Sequence, residues 1–241
     1  MAEIKVYAHR GASGYALENT WSAFHKACEF GVGIELDVQI TKDRVVVVYH
    51  DENLKRLSGK NLLINEVDYE YIKELRIGKK WFRKVRTHKV PLAYEVFQWA
   101  KKNNVPLNVE MKKSFALDPN GPKILAAMLE NIENIHLSSF DPELLKEMKK
   151  LLPATETALI IKKKFVLEKV RNMHWVDSVH LHKKLHSKKM LESLAPIKKN
   201  IRIYGMLGSE KLMSRLDDQL IGIITDYPDI VKEKLRLPEN R

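Results

Sequence analysis

The sequence predicts a (β/α)8 TIM barrel, a closed ring of eight parallel strands surrounded by helices, and three observations favour this fold. The chain has 241 residues, close to the roughly 250 that are typical of such barrels. Short apolar runs, typical of buried strands, alternate with amphipathic helical segments. Eight of these runs precede a helix, which implies parallel strands with right-handed crossovers. The alternative is an open doubly wound sheet, which usually has fewer strands and often a glycine-rich phosphate loop that this sequence lacks.

The first part of the chain contains two predicted strands and the helix between them. Residues 4–8 have the apolar composition of a short strand, and a glycine-containing loop follows. Asn19 or Thr20 is suited to cap a helix that begins at Trp21, because either side chain can accept a backbone hydrogen bond. The second strand is predicted at residues 33–39.

A polar segment is predicted to interrupt the barrel after the second strand. A run of four valines, residues 45–48, leads to His50. The basic segment that follows, residues 52–89, contains one helical piece at residues 67–75 and is too short to form a separate domain. We therefore expect one domain spanning residues 1–241, in which this segment is a small insertion over the site.

The rest of the chain continues the alternation of strands and helices. A helix after Pro91 leads to a third strand. This strand and the five that follow are predicted at residues 106–111, 135–139, 157–161, 178–181, 201–204 and 220–224. The later helices are expected from Asp141, which is an N-cap residue followed by proline, near residues 165–171, after Ser187, after Ser209 and from Pro228.

The charge of the chain limits its partners without selecting one. Basic residues outnumber acidic residues, 42 to 31, and the net charge is +11. This balance permits binding to nucleic acid, to anionic membrane surfaces or to anionic small molecules. The lysines occur in scattered pairs without interleaved aromatic residues, and no nucleic-acid-binding module is recognisable. We expect a small-molecule substrate, no nucleic acid, and at most transient contact with an anionic membrane surface.

The expected location is the cytoplasm. The amino terminus leads directly into a strand and leaves no room for a cleaved signal. No apolar run approaches the ~18 residues that are needed to cross a bilayer. The single cysteine excludes an internal disulfide. The sequence leaves the oligomeric state open.

Three carboxylates are predicted to meet at one mouth of the barrel. Glu35 and Asp37 are two residues apart on a strand and therefore point to the same face, where a cation or a shared proton must offset their repulsion. Glu110 and Lys112 share a face at the end of the third strand in the same way. Barrel enzymes place catalytic groups at the carboxyl ends of strands. An oxygen-rich site of this kind suits one divalent cation, Mg²⁺, Ca²⁺ or Mn²⁺.

Two histidines and two cations are expected at the same mouth. His9 ends the first strand and His50 ends the valine run. Because imidazole titrates near neutral pH, the pair could serve as a general acid and a general base. Arg10 and Lys112 add positive charge that suits an anionic substrate such as a phosphate.

The remaining histidines carry weaker signals. His180 and His182 alternate on a strand and could point to one face. We expect His25, His88 and His136 at the surface.

Several motifs closely resemble those of the glycerophosphodiester phosphodiesterase family. The matching stretches are His9-Arg10-Gly11-Ala12-Ser13-Gly14-Tyr15, Glu18-Asn19-Thr20, Glu35-Leu36-Asp37-Val38, His50-Asp51 and Asn108-Val109-Glu110-Met111-Lys112. The resemblance implies a (β/α)8 barrel that uses a divalent metal to hydrolyse glycerophosphodiesters to sn-glycerol 3-phosphate and an alcohol. It also implies that Glu35, Asp37 and Glu110 are the metal ligands.

The resemblance assigns the other site residues as well. His9 and His50 would be the acid and the base, in an order that stays open. Arg10 and Lys112 would contact the phosphate, with Glu18 close by. The attacking group would be water or a hydroxyl of the substrate's own glycerol.

Departures from the family pattern leave the substrate's headgroup open. Leu17 stands where the family usually has proline, and Tyr204-Gly205-Met206-Leu207 replaces a common Trp-Thr-Val-Asn. A related alternative is a lysophospholipase D that acts on long-chain substrates. A rival from another class is a protein that binds nucleic acid or an anionic surface and keeps only the barrel scaffold.

Overall fold

The computed structural model describes residues 4–78, 88–162, 170, 172–185, 187, 200–210 and 219–236. Its centre is a closed ring of eight parallel strands, so the predicted fold class is confirmed. A short additional strand pairs antiparallel with the second strand. In chain order the described strands are β1 (Lys5–His9), β2 (Gly33–Ile40), β3 (Val46–Val48), β4 (Leu107–Met111), β5 (Ile135–Ser139), β6 (Glu156–Ile161), β7 (Ser178–His182), β8 (Asn200–Met206) and β9 (Leu220–Thr225).

The ring closes at β1, which pairs with β2 on one side and with β9 on the other. β2 also pairs with β4, so the carboxyl ends of β1, β2 and β4 lie side by side at one mouth of the barrel. β3 folds back along β2, with Val48 opposite Val38. The backbone N–H of Tyr49 then donates to the carbonyl of Asp37. This pairing brings His50, the next residue, to the same mouth.

The described helices are α1 (Trp21–Glu29), α2 (Lys55–Ser58), α3 (Tyr69–Glu74), α4 (Ala93–Lys102), α5 (Lys113–Leu117), α6 (Gly121–Leu129), α7 (Pro142–Leu151) and α8 (Pro228–Arg236). Asp141 caps α7 as predicted, since its side chain accepts the backbone N–H of Glu143 at 2.9 Å. Apart from residue 170, the helix predicted at residues 165–171 falls outside the described ranges, as do the segments that hold the helices predicted after Ser187 and Ser209. None of the described helices is both long and apolar enough to span a membrane.

The connection between β4 and β5 contains two helices, α5 and α6, that the sequence analysis did not assign. Residues 118–122 have the composition of a turn, which obscures the start of α6. Pro122 lies in the first turn of α6, where its missing N–H removes no helical hydrogen bond. Leu125 and Leu129 are buried on the inner face of this helix.

The predicted insertion packs on a separate apolar cluster. Leu54, Leu57, Ile64 and Ile72 are buried there together with Tyr49. The cluster attaches α2 and α3 to the segment that follows β3. Residues 79–87 of the insertion lie outside the described ranges, and its extent and the single-domain organisation stay predictions.

A polar cluster fills the barrel below the mouth. Arg202 makes a bidentate ion pair with Glu156, and the Ser178 hydroxyl donates to Glu156 Oε1 at 2.6 Å. His136 and His180 are buried beside this pair, with ring centroids 5.4 Å apart. The prediction that His136 lies at the surface was wrong, because residue 136 is on the face of β5 that points into the closed barrel.

Because His136 and His180 are buried, we expect the folded protein to lose stability in acid. Burial, with the positive charge of Arg202 nearby, lowers the pKa of both His136 and His180 well below 6.5. The unfolded chain therefore binds protons that the folded chain cannot accept once the pH falls below about 6.5. We expect the free energy of unfolding in urea to fall as the pH drops from 7.5 to 5.5, by up to about 1.4 kcal/mol per pH unit for each histidine.

His136→Leu should have a shallower pH slope than the wild type, whatever its stability at pH 7.5. His25→Leu, which removes an exposed histidine, is the control and should keep the wild-type slope. Equal slopes for all three proteins would contradict the prediction.

Candidate functional site

Three carboxylates meet where β2 and β4 reach the mouth of the barrel. Glu35 and Asp37 point inward from β2, and Glu110 is paired in register with Asp37 on β4. One oxygen from each carboxylate lies within 4.8 Å of the others, and all three side chains are buried. The structure therefore brings together the three residues that the sequence predicted as a metal site.

Two cations lie against these carboxylates. Lys112 Nζ is 2.7 Å from Asp37 Oδ1 and also contacts Glu110. Arg10 Nε is 3.3 Å from Asp37 Oδ2. Burial favours the neutral acid, but Lys112 and Arg10 outweigh it and hold the pKa of Asp37 well below its usual range. Asp37 is therefore charged at neutral pH.

Glu35 has no cationic side chain bonded to it in the described part of the chain. Its Oε2 accepts the backbone N–H of Arg10 at 2.7 Å. Burial and the charge of Asp37 raise the pKa of Glu35 to about 8. A divalent cation would relieve this penalty, because it favours the charged form of a carboxylate. The donor set fits such a cation, since it consists of hard oxygens and, among the residues that the structure describes, its three carboxylates face two cationic side chains.

Asn19 has a role that the sequence analysis missed. Thr20 is the N-cap residue of α1, but its hydroxyl donates to the Leu17 carbonyl, and neither Asn19 nor Thr20 makes a side-chain cap. Asn19 instead has a positive φ of 54°. Its amide donates to Asp37 Oδ2 at 2.8 Å, and its carbonyl oxygen accepts the backbone N–H of Asp37 at 3.3 Å. Asn19 thus fixes the orientation of the Asp37 carboxylate.

His9 lies at the end of β1 and is held by Asp226, which follows β9. The distance from His9 Nδ1 to Asp226 Oδ1 is 2.6 Å, and the Ser13 hydroxyl donates to the same oxygen at 3.0 Å. Burial lowers the pKa of His9, but the hydrogen bond to Asp226 and the charge of Glu35 outweigh it, so the pKa lies above its usual value. Because Asp226 accepts from Nδ1, the other ring nitrogen is the one left for a ligand.

His50 is held in the same way by its neighbour in sequence. Its Nδ1 lies 2.7 Å from Asp51 Oδ1. The pKa of His50 is nevertheless lowered, because burial and the positive charges of Lys112 and Arg10 outweigh the carboxylates. The two histidines therefore differ in their tendency to hold a proton.

Glu18 and a further residue, Arg56, connect the two halves of the site. Arg10 Nη1 donates to Glu18 Oε1 at 2.8 Å. Glu18 therefore lies beside Arg10, one of the two cationic side chains that are predicted to bind the phosphate. Arg56 donates to both oxygens of Glu18, at 2.6 and 2.7 Å, and to Asp51 Oδ2 at 2.5 Å. Arg56 could not be identified from the sequence, because it lies in a basic segment where one arginine carries no distinguishing signal.

Aromatic groups line the opposite side of the mouth. Tyr204 at the end of β8 lies 5.1 Å from the His182 ring, measured between centroids. Its hydroxyl is buried without a hydrogen-bond partner in the described part of the chain. Burial, with the charge of Glu110, raises the pKa of Tyr204 to about 12. The hydroxyl is thus a neutral group at working pH and is able to donate to a ligand.

Comparison with known proteins gives consistent matches. The sequence model of the glycerophosphoryl diester phosphodiesterase family matches residues 9–230. The glycerophosphodiester phosphodiesterase of Caldanaerobacter subterraneus is 38% identical over 159 residues, which cover 64% of this chain and 65% of that protein. Human lysophospholipase D GDPD1 is 39% identical over 118 residues, 45% of this chain and 36% of that protein. The structure of an Oleispira antarctica phosphodiesterase in complex with the product sn-glycerol-3-phosphate superimposes with a TM-score of 0.85 at 22% identity, covering 97% of each chain.

If the three carboxylates bind a cation, as the sequence predicts, the contacts of Asn19 with Asp37 imply that the loss of Asn19 weakens that binding. Asn19→Ala should raise the Kd for Mn²⁺ by about 10- to 100-fold, the usual effect of removing a group that orients a ligating carboxylate. Isothermal titration calorimetry measures this Kd. Asn103→Ala, at the far end of α4, is the matched control and should bind as the wild type does. A wild-type Kd in Asn19→Ala would contradict the prediction.

Proposed function

The chain belongs to the glycerophosphoryl diester phosphodiesterase family, and we propose that it hydrolyses glycerophosphodiesters to sn-glycerol 3-phosphate and an alcohol. The observation that carries the proposal is the cluster of Glu35, Asp37 and Glu110 at the barrel mouth, with His9 and His50 beside it. The products are those of lipid headgroup breakdown, so the proposal includes a role in lipid and glycerol metabolism. As expected from the sequence, the proposed location is the cytoplasm.

In this proposal Glu35, Asp37 and Glu110 bind one divalent cation, Mg²⁺, Ca²⁺ or Mn²⁺. When bound, the cation supplies Lewis-acid stabilisation of the charge on the phosphoryl oxygens. Arg10 and Lys112 contact the same phosphate. Both side chains are already held in place by Asp37, so little reorganisation is needed when the substrate binds.

The surroundings of the two histidines support different roles for them. His9 holds a proton more strongly, and Asp226 accepts from its Nδ1, so we assign it as the acid that protonates the leaving alcohol. His50 holds a proton more weakly, so we assign it as the base that takes the proton of the attacking hydroxyl. Either water or the glycerol hydroxyl of the substrate could lose its proton to this base. Attack by water would release the alcohol and form sn-glycerol 3-phosphate directly, whereas attack by the hydroxyl would release the alcohol and form a cyclic phosphate, which a water molecule would then open to sn-glycerol 3-phosphate.

Lysophospholipids are a second candidate substrate class. The similarity to human lysophospholipase D GDPD1 is one reason. The other is that Phe140 and Leu207, which directly follow β5 and β8 at the mouth, are 51% and 44% exposed. An exposed apolar rim could accept an acyl chain. Comparing turnover of glycerophosphocholine and palmitoyl lysophosphatidylcholine under one metal condition distinguishes the two classes.

Metal removal tests the proposed function. In an assay that detects sn-glycerol 3-phosphate, we expect the enzyme to hydrolyse glycerophosphocholine, to lose activity in excess EDTA, and to regain it when Mg²⁺, Ca²⁺ or Mn²⁺ is restored. Turnover that persists after exhaustive chelation would argue against the role of the cation.

The histidine assignment has its own test. His9→Ala and His50→Ala should each lower kcat by at least about 100-fold, the usual contribution of a general acid or base. His25→Ala, on the exposed face of α1, should retain wild-type kcat. An active His9→Ala or His50→Ala enzyme would exclude that residue from the chemistry.

A further inference from the structure

We propose that Arg56 is a positioning residue for the reaction. It orients His50 through the carboxylate of Asp51 and Arg10 through the carboxylate of Glu18. The inference rests on the proposed function. Arg56 contacts neither histidine nor any of the three clustered carboxylates through the hydrogen bonds described. It acts through Asp51 and Glu18, which it binds together.

Two chains of hydrogen bonds start at Arg56, and we call each of them an arm. The first arm runs through Asp51 and orients His50. Arg56 Nε donates to Asp51 Oδ2 at 2.5 Å, while Asp51 Oδ1 lies 2.7 Å from His50 Nδ1. With both oxygens engaged, the Asp51 carboxylate cannot rotate freely. It therefore accepts the Nδ1 proton of a neutral His50 and leaves Nε2 as the unprotonated, basic nitrogen. Without Arg56, Asp51 would lose one of its two anchors.

The second arm orients Arg10. The guanidinium of Arg56 binds both oxygens of Glu18, at 2.6 and 2.7 Å. Glu18 in turn accepts from Arg10 Nη1 at 2.8 Å, and Arg10 Nε faces Asp37 at 3.3 Å. Planar, bidentate pairs of this kind fix direction as well as distance. The Arg10 guanidinium is thus held between Glu18 and Asp37 in one orientation.

The backbone around Arg56 is anchored by buried neighbours, which suits a residue that holds others in position. It lies in α2, a single turn whose Leu57, together with Leu54 just before it, is buried in the apolar cluster under the insertion. The side chain of Arg56 is 44% exposed, and an isolated exposed ion pair contributes little. Three short charge-assisted bonds to two different carboxylates are a different case, because they form a network with defined geometry.

Arg44 offers a matched control. It is also an arginine with a half-exposed side chain, and its Nε donates to Asp118 at 2.9 Å. No hydrogen bond described for Asp118 connects it to a predicted site residue. Arg44→Ala therefore removes a comparable surface arginine without touching either arm.

The kinetic test uses Arg56→Ala, Arg56→Lys and Arg44→Ala with glycerophosphocholine. We expect Arg56→Ala to lower kcat by about 10- to 100-fold, as the loss of an orienting group does, with an unchanged Tm. Arg56→Lys should recover part of kcat, and millimolar guanidinium ion should raise the kcat of Arg56→Ala several-fold. Arg44→Ala should keep wild-type kcat and show no response to guanidinium.

Wild-type kcat in Arg56→Ala would overturn the inference, as would a loss of kcat that only parallels a fall in Tm and that guanidinium does not reverse. These outcomes leave the proposed function standing, because the wild type would still turn over. Absence of turnover in the wild type would instead defeat the proposed function.

A spectroscopic test of the first arm does not depend on turnover. In ¹⁵N spectra of the histidine side chains near pH 8, assigned with a His50→Gln protein, wild-type His50 should be a single tautomer protonated at Nδ1. Arg56→Ala should show an average of both tautomers. The same tautomer in both proteins would overturn the role of Arg56 in holding His50.

Discussion

The architecture of the mouth depends on keeping a fully buried carboxylate, Asp37, charged. An ionised group in an apolar interior is tolerated only when cations and hydrogen-bond donors surround it. Here the compensation comes from Arg10 after β1, Asn19 before α1, and Lys112 after β4. Each of these segments is consequently fixed by the same carboxylate. The site is preorganised because the fold could not otherwise bury Asp37.

Glu35 experiences the same burial with much less compensation. Of the groups described around it, only the backbone N–H of Arg10 donates to it. Two carboxylates on one strand therefore behave differently: the pKa of Asp37 is depressed, whereas the pKa of Glu35 is raised. This imbalance is the physical argument for a cation at the cluster, because a structural network could have paired both carboxylates with arginine or lysine.

Backbone geometry explains why much of the site could be predicted from sequence. Residues two apart on a strand share a face, and parallel strands bring their carboxyl ends to one mouth. The meeting of Glu35, Asp37 and Glu110 therefore follows once the fold is taken as a barrel and their shared face is taken as the inner one. The role of Asn19 could not be predicted in this way, because an asparagine at this position is equally suited to cap a helix and to hydrogen-bond a carboxylate. The prediction that His136 lies at the surface was wrong because sequence alone does not show which face of β5 lies inside the ring. Arg56 was missed because one arginine in a basic segment carries no distinguishing signal, and its partner Glu18 is 38 residues away in the chain.

The insertion belongs to the site rather than merely covering it. β3, which precedes it, is paired with β2 so that Val48 lies opposite Val38. The position of His50 relative to Asp37 is therefore set by the same strand that holds the carboxylate, and a one-residue slip would turn every side chain of β3 to the other face. The apolar cluster under α2 opposes such a slip, because Tyr49 is packed within it. Burial of that cluster thus contributes to the distance between the histidine and the carboxylates.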